Sequence, residues 1–198
     1  AGVRAFLAYM ITHPGKKLTF MGTEFGQFDE WEFQSQLCWS LLDYDSHKIL
    51  KNFVKELNKF YLDTKPLWEN DFSWEGFSWI SNNDYKQSVI SFSRIDKKGN
   101  EIICICNFQP LARENYKIGV KHGGNYLEIF NTDEKKYGGS GISNSGTIKA
   151  NLEKIHGQDY SLILKLPPLS VIFIKYSKEK GKHLSKQSYS KKLKDKGV

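Results

Sequence analysis

The chain has 198 residues, 39% of them apolar and 14% aromatic, which is enough to bury a hydrophobic core and excludes wholesale disorder. The formal net charge of +7 is concentrated at one end, because residues 178–198 carry eight lysines against Glu179 and Asp195, a net charge of +6 that leaves +1 for the rest. The body is therefore nearly neutral, and we do not expect a nucleic-acid partner.

Three cysteines, Cys38, Cys104 and Cys106, are too few for a disulfide framework and predict a reducing compartment, which we take to be the cytoplasm. The last two are two residues apart on one face of a predicted strand. That spacing is not that of a zinc site, so we expect buried thiols and no bound metal. No apolar run reaches membrane-spanning length, and the first residues do not form a signal peptide, so we expect no membrane partner.

The first predicted element is a helix that ends at His13-Pro14-Gly15, a strong stop signal. Its predicted apolar face is Val3, Phe6, Leu7 and Met10, which recur at helical spacing. Neither an initiating methionine nor a capping residue precedes this helix. We therefore expect the chain to be a fragment of a longer protein.

A short buried strand, Leu18–Met21, and a long loop follow the helix. Residues 45–64 then form the clearest predicted helix, with Asp45 or Ser46 as its cap and Pro66 limiting its end. Its apolar face is Ile49, Leu50, Phe53, Val54, Leu57, Phe60 and Tyr61. The order helix, strand, loop, helix is typical of an α/β barrel or an open sheet, in which functional loops follow the carboxyl ends of strands.

From Phe72 to Tyr176 the apolar runs become short, β-branched and separated by turn residues. The predicted strands are QSVISFSRI and EIICICNF, joined by the hairpin sequence DKKGN, and then YKIGV, NYLEIFN, YSLILKL and SVIFIKY. This series predicts an antiparallel β-sandwich or barrel. We therefore divide the chain into residues 1–70, an all-β domain of residues 71–176, and a lysine-rich tail of residues 177–198 that we expect to be disordered.

Several stretches resemble, in the same order, the bacterial glycogen branching enzymes of the α-amylase superfamily. They are AYMITHPGKKLTFMGTEFGQFDEW, LLDYDSHKILKNFVKELNKFY, PLWENDF, SVISFSR, CNFQP, NTDEKKYGGSG and LPPLSVIFI. The resemblance covers about residues 1–176. It implies the last βα unit of a (β/α)8 TIM barrel, α/β in class, followed by an all-β carboxyl-terminal domain, an antiparallel β-sandwich.

The resemblance implies an enzyme that cleaves an α-1,4-glucan and transfers the cut chain to a 6-hydroxyl, making α-1,6 branches in glycogen. The family's chemistry is a retaining displacement by a carboxylate nucleophile, an acid and a third aspartate, with no cofactor. The acids present here, Glu24, Asp29, Glu30 and Glu32, do not match those catalytic motifs. We therefore assign no catalytic residue and expect the chain to be inactive alone.

The loop after Leu18–Met21 would form one wall of the glucan cleft. Sugar rings stack on aromatic faces, and their hydroxyls bond to carboxylates and amides, so the predicted glucan-binding residues are Glu24, Phe25, Gln27 and Trp31. A purely supporting role stays open for each of them. For Phe33 and Trp39 we favour support. After Trp31 the sequence EFQSQLCW departs from the family's usual pattern.

The implied partners are an α-glucan and the upstream part of the same enzyme. The alternative is a stand-alone glucan-binding or interaction module without catalytic activity, in which only residues 72–176 fold. Trp68, Trp74 and Trp79 lie near the predicted domain junction, and we favour burial against the neighbouring domain over sugar stacking for them.

Overall fold

The computed structural model describes residues 1–177, so the predicted tail lies outside the described residues except for Ser177. Within them are two α-helices and eight β-strands, joined by loops and single-turn 3-10 helices. The helices are α1 (Gly2–Thr12) and α2 (Asp45–Asp63). The strands are β1 (Phe77–Asp84), β2 (Val89–Ile95), β3 (Glu101–Asn107), β4 (Arg113–Val120), β5 (Asn125–Asn131), β6 (Ile148–Lys149), β7 (Tyr160–Leu166) and β8 (Ser170–Ser177).

The strands form an antiparallel sheet of six, in the order β1-β2-β3-β8-β5-β6, and a separate antiparallel pair, β4-β7. All six predicted strands are confirmed, and β1 and β6 are additional. The predicted hairpin joins β2 to β3. There Asp96 accepts hydrogen bonds from the backbone N–H groups of Lys98 and Asn100, and Gly99 adopts a φ of 75°.

The six-stranded sheet is buried on both faces, which explains why its central strands are apolar without interruption. On β3, Ile103 and Ile105 face the β4-β7 pair, whereas Cys104 and Cys106 face the two helices. Successive side chains of a strand point to opposite faces, so one run of apolar residues supplies two cores. The result is a β-sandwich with a helical layer on its outer side, and the prediction of buried thiols is confirmed.

Helix α1 has the predicted boundaries but not the predicted buried face. Ala5, Ala8 and Ile11 pack towards the sheet together with the predicted Leu7, whereas Phe6 is 59% exposed. Val3 is exposed and Met10 only partly buried. Small alanine side chains let the helix approach the sheet closely, and Val3 and Phe6 are left on the side that no described residue covers. The predicted face was therefore wrong at Val3 and Phe6, whereas Leu7 is buried and Met10 packs against the core as predicted.

The predicted strand Leu18–Met21 is absent: this segment is irregular, and Leu18 is 76% exposed. A barrel strand requires hydrogen-bonding neighbours, and residues 1–177 offer none at this position. Helix α2 is confirmed to within one residue, but Tyr44 precedes it without a side-chain cap, so the predicted caps at Asp45 and Ser46 were wrong. Its Phe53, with Val54 and Leu57, is buried as predicted.

One buried cation joins the end of α1, the segment before β1 and the sheet. Arg94 of β2 is fully buried, and its guanidinium donates to the carbonyl oxygens of Thr12 (2.5 Å) and Gly76 (3.2 Å) and to Asp71 Oδ1 (2.6 Å). A buried charge is tolerated only when it is paired and hydrogen-bonded in this way. Helix α1 is therefore tied to the sheet by a polar contact as well as by the apolar core.

The three junction tryptophans differ in environment. Trp68 is 37% exposed, and its indole N–H donates to the carbonyl oxygen of Leu62 at 3.1 Å. Trp79 is 41% exposed and packs its ring against Phe77 and Phe92 of the sheet and His13 after α1. Trp74 is 87% exposed, so no described residue covers it, in contrast to the predicted burial. That prediction assumed a neighbouring surface at the 3-10 turn before β1, and the described chain has none there.

Candidate functional site

Two glycines shape the beginning of the predicted site. The loop was predicted over residues 22–39, and in the structure it continues through a 3-10 turn to residue 43. Gly22 (φ 83°) and Gly26 (φ 75°) bracket the 3-10 turn Thr23–Phe25 in the left-handed region that glycine adopts without strain. A Cβ atom on Gly22 would lie 2.9 Å from the Cβ of Gln27, so the turn also depends on its missing side chain. The two glycines therefore allow a tight turn that brings Glu24 and Gln27 to the same end of the loop.

Phe25 is the last residue of this turn, and its ring is fully buried. The ring of Trp39 stacks on it at a centroid distance of 5.5 Å and an interplanar angle of 29°. His47, in the first turn of α2, places Nδ1 2.7 Å from the Phe25 carbonyl oxygen. Of the two roles left open by the sequence, this geometry favours support for Phe25, because a buried ring cannot stack on a sugar.

Gln27 cross-links the two ends of the loop. Its Oε1 accepts a hydrogen bond from the backbone N–H of Cys38 at 2.9 Å, and its Nε2 lies 3.4 Å from the carbonyl oxygen of Asp29. The half-buried carboxylate of Glu24 makes no hydrogen bond or salt bridge to any residue of 1–177. Gln27 is thus fixed in place, whereas Glu24 can accept hydrogen bonds from a ligand.

The outer surface of the loop is aromatic. Trp31 is 76% exposed and meets Phe20 edge-on at 6.5 Å between ring centroids. Phe28 and Phe33 are also more than 70% exposed, and Phe28 meets the ring of His47 edge-on at 5.5 Å. Exposed aromatic surface of this kind marks a binding site or an interface with another part of a protein.

The charge of the loop limits what it can bind. Residues 22–43 contain five acids, Glu24, Asp29, Glu30, Glu32 and Asp43, and no lysine or arginine. Such a surface repels phosphates and other anions. Carboxylates and an amide beside exposed aromatic rings instead suit a neutral ligand that carries many hydroxyl groups.

Sequence reasoning did not identify the supporting residues of the site, of which His47 is the clearest. In the sequence it shows no metal-ligand spacing, so we expect no ligand role for it. Its position in the first turn of α2 was the only available signal, because that end of the helix faces the preceding loop. Across residues 1–177 no three potential metal ligands come together, and no helix there is long and apolar enough to cross a membrane.

Residues 79–177 match the family described as the alpha amylase C-terminal all-beta domain. The chain is 52% identical over 177 residues to the 1,4-alpha-glucan branching enzyme GlgB of Aquifex aeolicus, covering 89% of the chain and 28% of that relative. It is 49% identical over 176 residues to the enzyme of the same name from Halothermothrix orenii, covering 88% of the chain and 28% of the relative.

Two solved structures share the fold. Ttha1563 from Thermus thermophilus superposes with a TM-score of 0.59 at 16% identity, over 88% of this chain and 31% of that one. The catalytic module of the glycogen-degrading pneumococcal virulence factor SpuA superposes with a TM-score of 0.58 at 15% identity, over 89% and 31% of the two chains. The chain belongs to the family of the alpha-amylase C-terminal all-β domain, and nearly its whole length is similar to the carboxyl-terminal portion of 1,4-alpha-glucan branching enzymes.

Proposed function

We propose that this chain is the carboxyl-terminal part of a 1,4-α-glucan branching enzyme that acts in glycogen biosynthesis in the cytoplasm. The observation that supports this most strongly is the identity of about one half to two such enzymes over nearly nine-tenths of the chain. The chain spans 28% of the length of these relatives, so the reaction belongs to a larger assembly. Its substrate would be an α-glucan.

Residues 1–70 would complete the catalytic barrel, and residues 71–176 would form the carboxyl-terminal domain. Two features support the first assignment. Leu18 and Phe20 are exposed in an irregular segment that lacks a strand partner, and Val3 and Phe6 are exposed on the outer side of α1. Leu18–Met21 would become the eighth barrel strand when the preceding strands supply its hydrogen bonds, and the upstream part of the enzyme would cover these apolar groups.

The loop of residues 22–43 would then lie at the carboxyl end of that strand, where barrel enzymes bind substrate. Trp31 would stack on a sugar ring, and Glu24 would accept hydrogen bonds from sugar hydroxyls. Gln27 would keep the loop closed through Cys38 and present its remaining hydrogen-bonding capacity to the glucan. Phe25 would act beneath them as the support of the turn.

In the retaining reaction a carboxylate attacks the anomeric carbon and breaks its bond to the leaving oxygen, which an acid protonates. The conjugate base of that acid then deprotonates the incoming 6-hydroxyl, whose oxygen displaces the carboxylate from the anomeric carbon. None of the acids of this chain matches those catalytic motifs, so the chain would bind and orient the glucan and would supply no reacting group. It would therefore have no branching activity alone.

A chimera tests the proposal directly. The segment of the Aquifex aeolicus enzyme that matches this chain is replaced by residues 1–177, and α-1,6 linkages formed on amylose are measured by iodine staining and debranching. We expect branching activity from the chimera and none from residues 1–198 alone. A control chimera carries the loop substitution Trp31→Ala. A folded chimera that forms no new branches, or branching by residues 1–198 alone, would contradict the proposal.

A further inference from the structure

An open cleft of about 530 Å³ lies on the β-sandwich, away from the loop. Its walls come from the end of β1, the β1–β2 turn, the start of β4 and the turn before β7. The polar residues that matter are Asp84, Gln87, Arg113, Asn115, Tyr116 and His156. Because β4 and β7 cover the face of the six-stranded sheet opposite to α1 and α2, the cleft is separate from the loop of residues 22–43.

One wall of the cleft is fixed by a hydrogen-bonded cluster that joins the two sheets. Tyr116 of β4 donates its hydroxyl to Asp84 Oδ2 of β1 at 2.7 Å, and Gln87 Nε2 donates to the same oxygen at 2.9 Å. Burial, followed by the bond to Asp84, raises the pKa of the Tyr116 hydroxyl well above its usual value, so it stays a donor. A cluster held in this way gives the cleft a defined shape.

Other polar groups around the cleft have unused hydrogen-bonding capacity. Arg113 Nε is buried and has no partner within residues 1–177, although Nη2 of the same guanidinium donates to Gln109. Asn115 uses no side-chain atom in a hydrogen bond to the described residues. His156 Nδ1 accepts from the backbone N–H of Gly119 at 3.2 Å, which leaves the Nε2–H as a donor. Burial lowers the pKa of His156, which favours this neutral ring.

Two sharp features of the backbone place polar side chains at the rim. Asn115 (φ 56°) and His156 (φ 50°) both adopt the left-handed conformation, which is unfavourable for residues with a side chain. Asn115 lies at the shift in register between β4 and β7, and His156 begins the two-residue turn that the Ile155–Gln158 bridge closes. The sheets therefore fix both residues at the edge of the same cleft.

The charges of the cleft indicate the class of ligand. Asp84 and Glu114 are balanced by Arg113 and Lys117, so the lining has no net formal charge. An anion or a cation would gain little from such a site, whereas a neutral polyhydroxyl compound would use its donors and acceptors together. We infer that the cleft is a second α-glucan-binding site, an inference that rests on the proposed function for the identity of the sugar.

The test uses the 198-residue chain labelled with ¹⁵N and titrated with maltoheptaose, with inorganic phosphate as the comparison ligand. We expect maltoheptaose to shift the amide resonances of residues 113–117 and 155–157, and phosphate to leave them unchanged. Asn115→Gly removes the side chain but permits the left-handed backbone, and it should weaken binding about three- to tenfold, the loss of one or two hydrogen bonds. Asn115→Asp, which keeps the side-chain shape, should weaken binding in the same direction.

The matched control is His122→Gly, in the turn beyond the opposite end of β4, which should leave the affinity unchanged. Unfolding curves of each variant verify that it is folded. The inference is overturned if maltoheptaose shifts no amide resonance of the cleft or shifts only those of the loop. It is also overturned if phosphate shifts the cleft resonances in place of maltoheptaose, or if both Asn115 variants bind maltoheptaose with unchanged affinity. If the chimera forms branches but the cleft binds no glucan, only the inference about the cleft is refuted. If the folded chimera is inactive but the cleft binds glucan, the proposed branching function is refuted instead.

Discussion

The β-sandwich buries its apolar side chains, whereas the segment of residues 18–39 leaves most of its large apolar side chains exposed. In the sandwich, β3 and β8 bury residues on both faces, because the helices cover one side of the sheet and β4-β7 the other. In the segment, Leu18, Phe20 and Trp31 are each more than half exposed. The sandwich thus supplies its own cover. The segment has the composition of a buried or ligand-bound surface without the neighbours that would bury it.

The largest expected effect concerns the buried cation that joins the sandwich to the end of α1 and to the segment before β1. Replacing Arg94 by leucine leaves Asp71 and the carbonyl oxygen of Thr12 without their buried partner. We expect the free energy of unfolding to fall by about 3 kcal/mol, because removing one partner of a buried ion pair is strongly destabilising and Asp71 would keep only Lys17 at 3.8 Å and the N–H of Gly15 at 3.2 Å. Urea unfolding of the 198-residue chain measures the change.

The matched control for Arg94 is Lys59→Ala, which removes a salt bridge to Asp63 on the exposed side of α2. Its loss should change the free energy of unfolding by less than about 1 kcal/mol. Equal effects of the two substitutions would show that Arg94 does not tie α1 to the sheet.

The second prediction tests whether part of the loop belongs to the core. Phe25→Ala removes a fully buried ring that stacks on Trp39, so it should lower the free energy of unfolding by about 3 kcal/mol. Chemical denaturation of the chain followed by tryptophan fluorescence reports this, since Trp39 is in contact with the ring. A loss below about 1 kcal/mol would mean that the loop is not packed in solution as it is in the structure.

The third prediction uses Trp31, the exposed counterpart of Phe25. In the chimera described above, Trp31→Ala should lower kcat/KM for amylose roughly tenfold, equivalent to about 1.4 kcal/mol of aromatic contact with the sugar. The free energy of unfolding should change by less than about 0.5 kcal/mol, because the side chain is 76% exposed. A large loss of stability with unchanged kinetics per folded molecule would make Trp31 a structural residue.

The smallest effect concerns pH and a contact between α2 and the sandwich. Burial opposes ionisation of Glu56, but hydrogen bonds from Lys136 (2.5 Å) and Tyr137 (2.6 Å) outweigh it and hold the pKa of the carboxyl below its usual value. The stabilisation of the folded state by ionised Glu56 is therefore fully present above the unfolded-state pKa of about 4.3. It is lost as the pH falls through the lower folded-state pKa.

Glu56→Gln should reduce the loss of stability on acidification, by less than about 1 kcal/mol because the pair is half exposed. Thermal unfolding between pH 3 and pH 7 measures the difference between the two proteins. Identical pH profiles would show that the contact of Glu56 with residues 136–137 does not form in solution.

The sequence alone was sufficient for the features that depend on local pattern. The hairpin between β2 and β3, the length of α2 and the buried thiols of Cys104 and Cys106 follow from turn residues, helical spacing and an uninterrupted apolar run. The same applies to the family resemblance, which rests on the order of short stretches. These features involve residues that are near each other in the chain, so their physical causes are visible there.

Only the tertiary structure decided which apolar residues are covered. Helical spacing predicted that Phe6 lies on the buried face of α1, but the helix packs against the sheet through Ala5 and Ala8, leaving Phe6 exposed. Leu18–Met21 has the composition of a strand, but a strand exists only where a neighbour accepts and donates its hydrogen bonds. Phe25 and Trp31 lie six residues apart in one loop, yet one is buried and the other exposed. The cleft likewise joins residues 84–87, 113–117 and 155–156, a juxtaposition created by the packing of two sheets and by no local pattern.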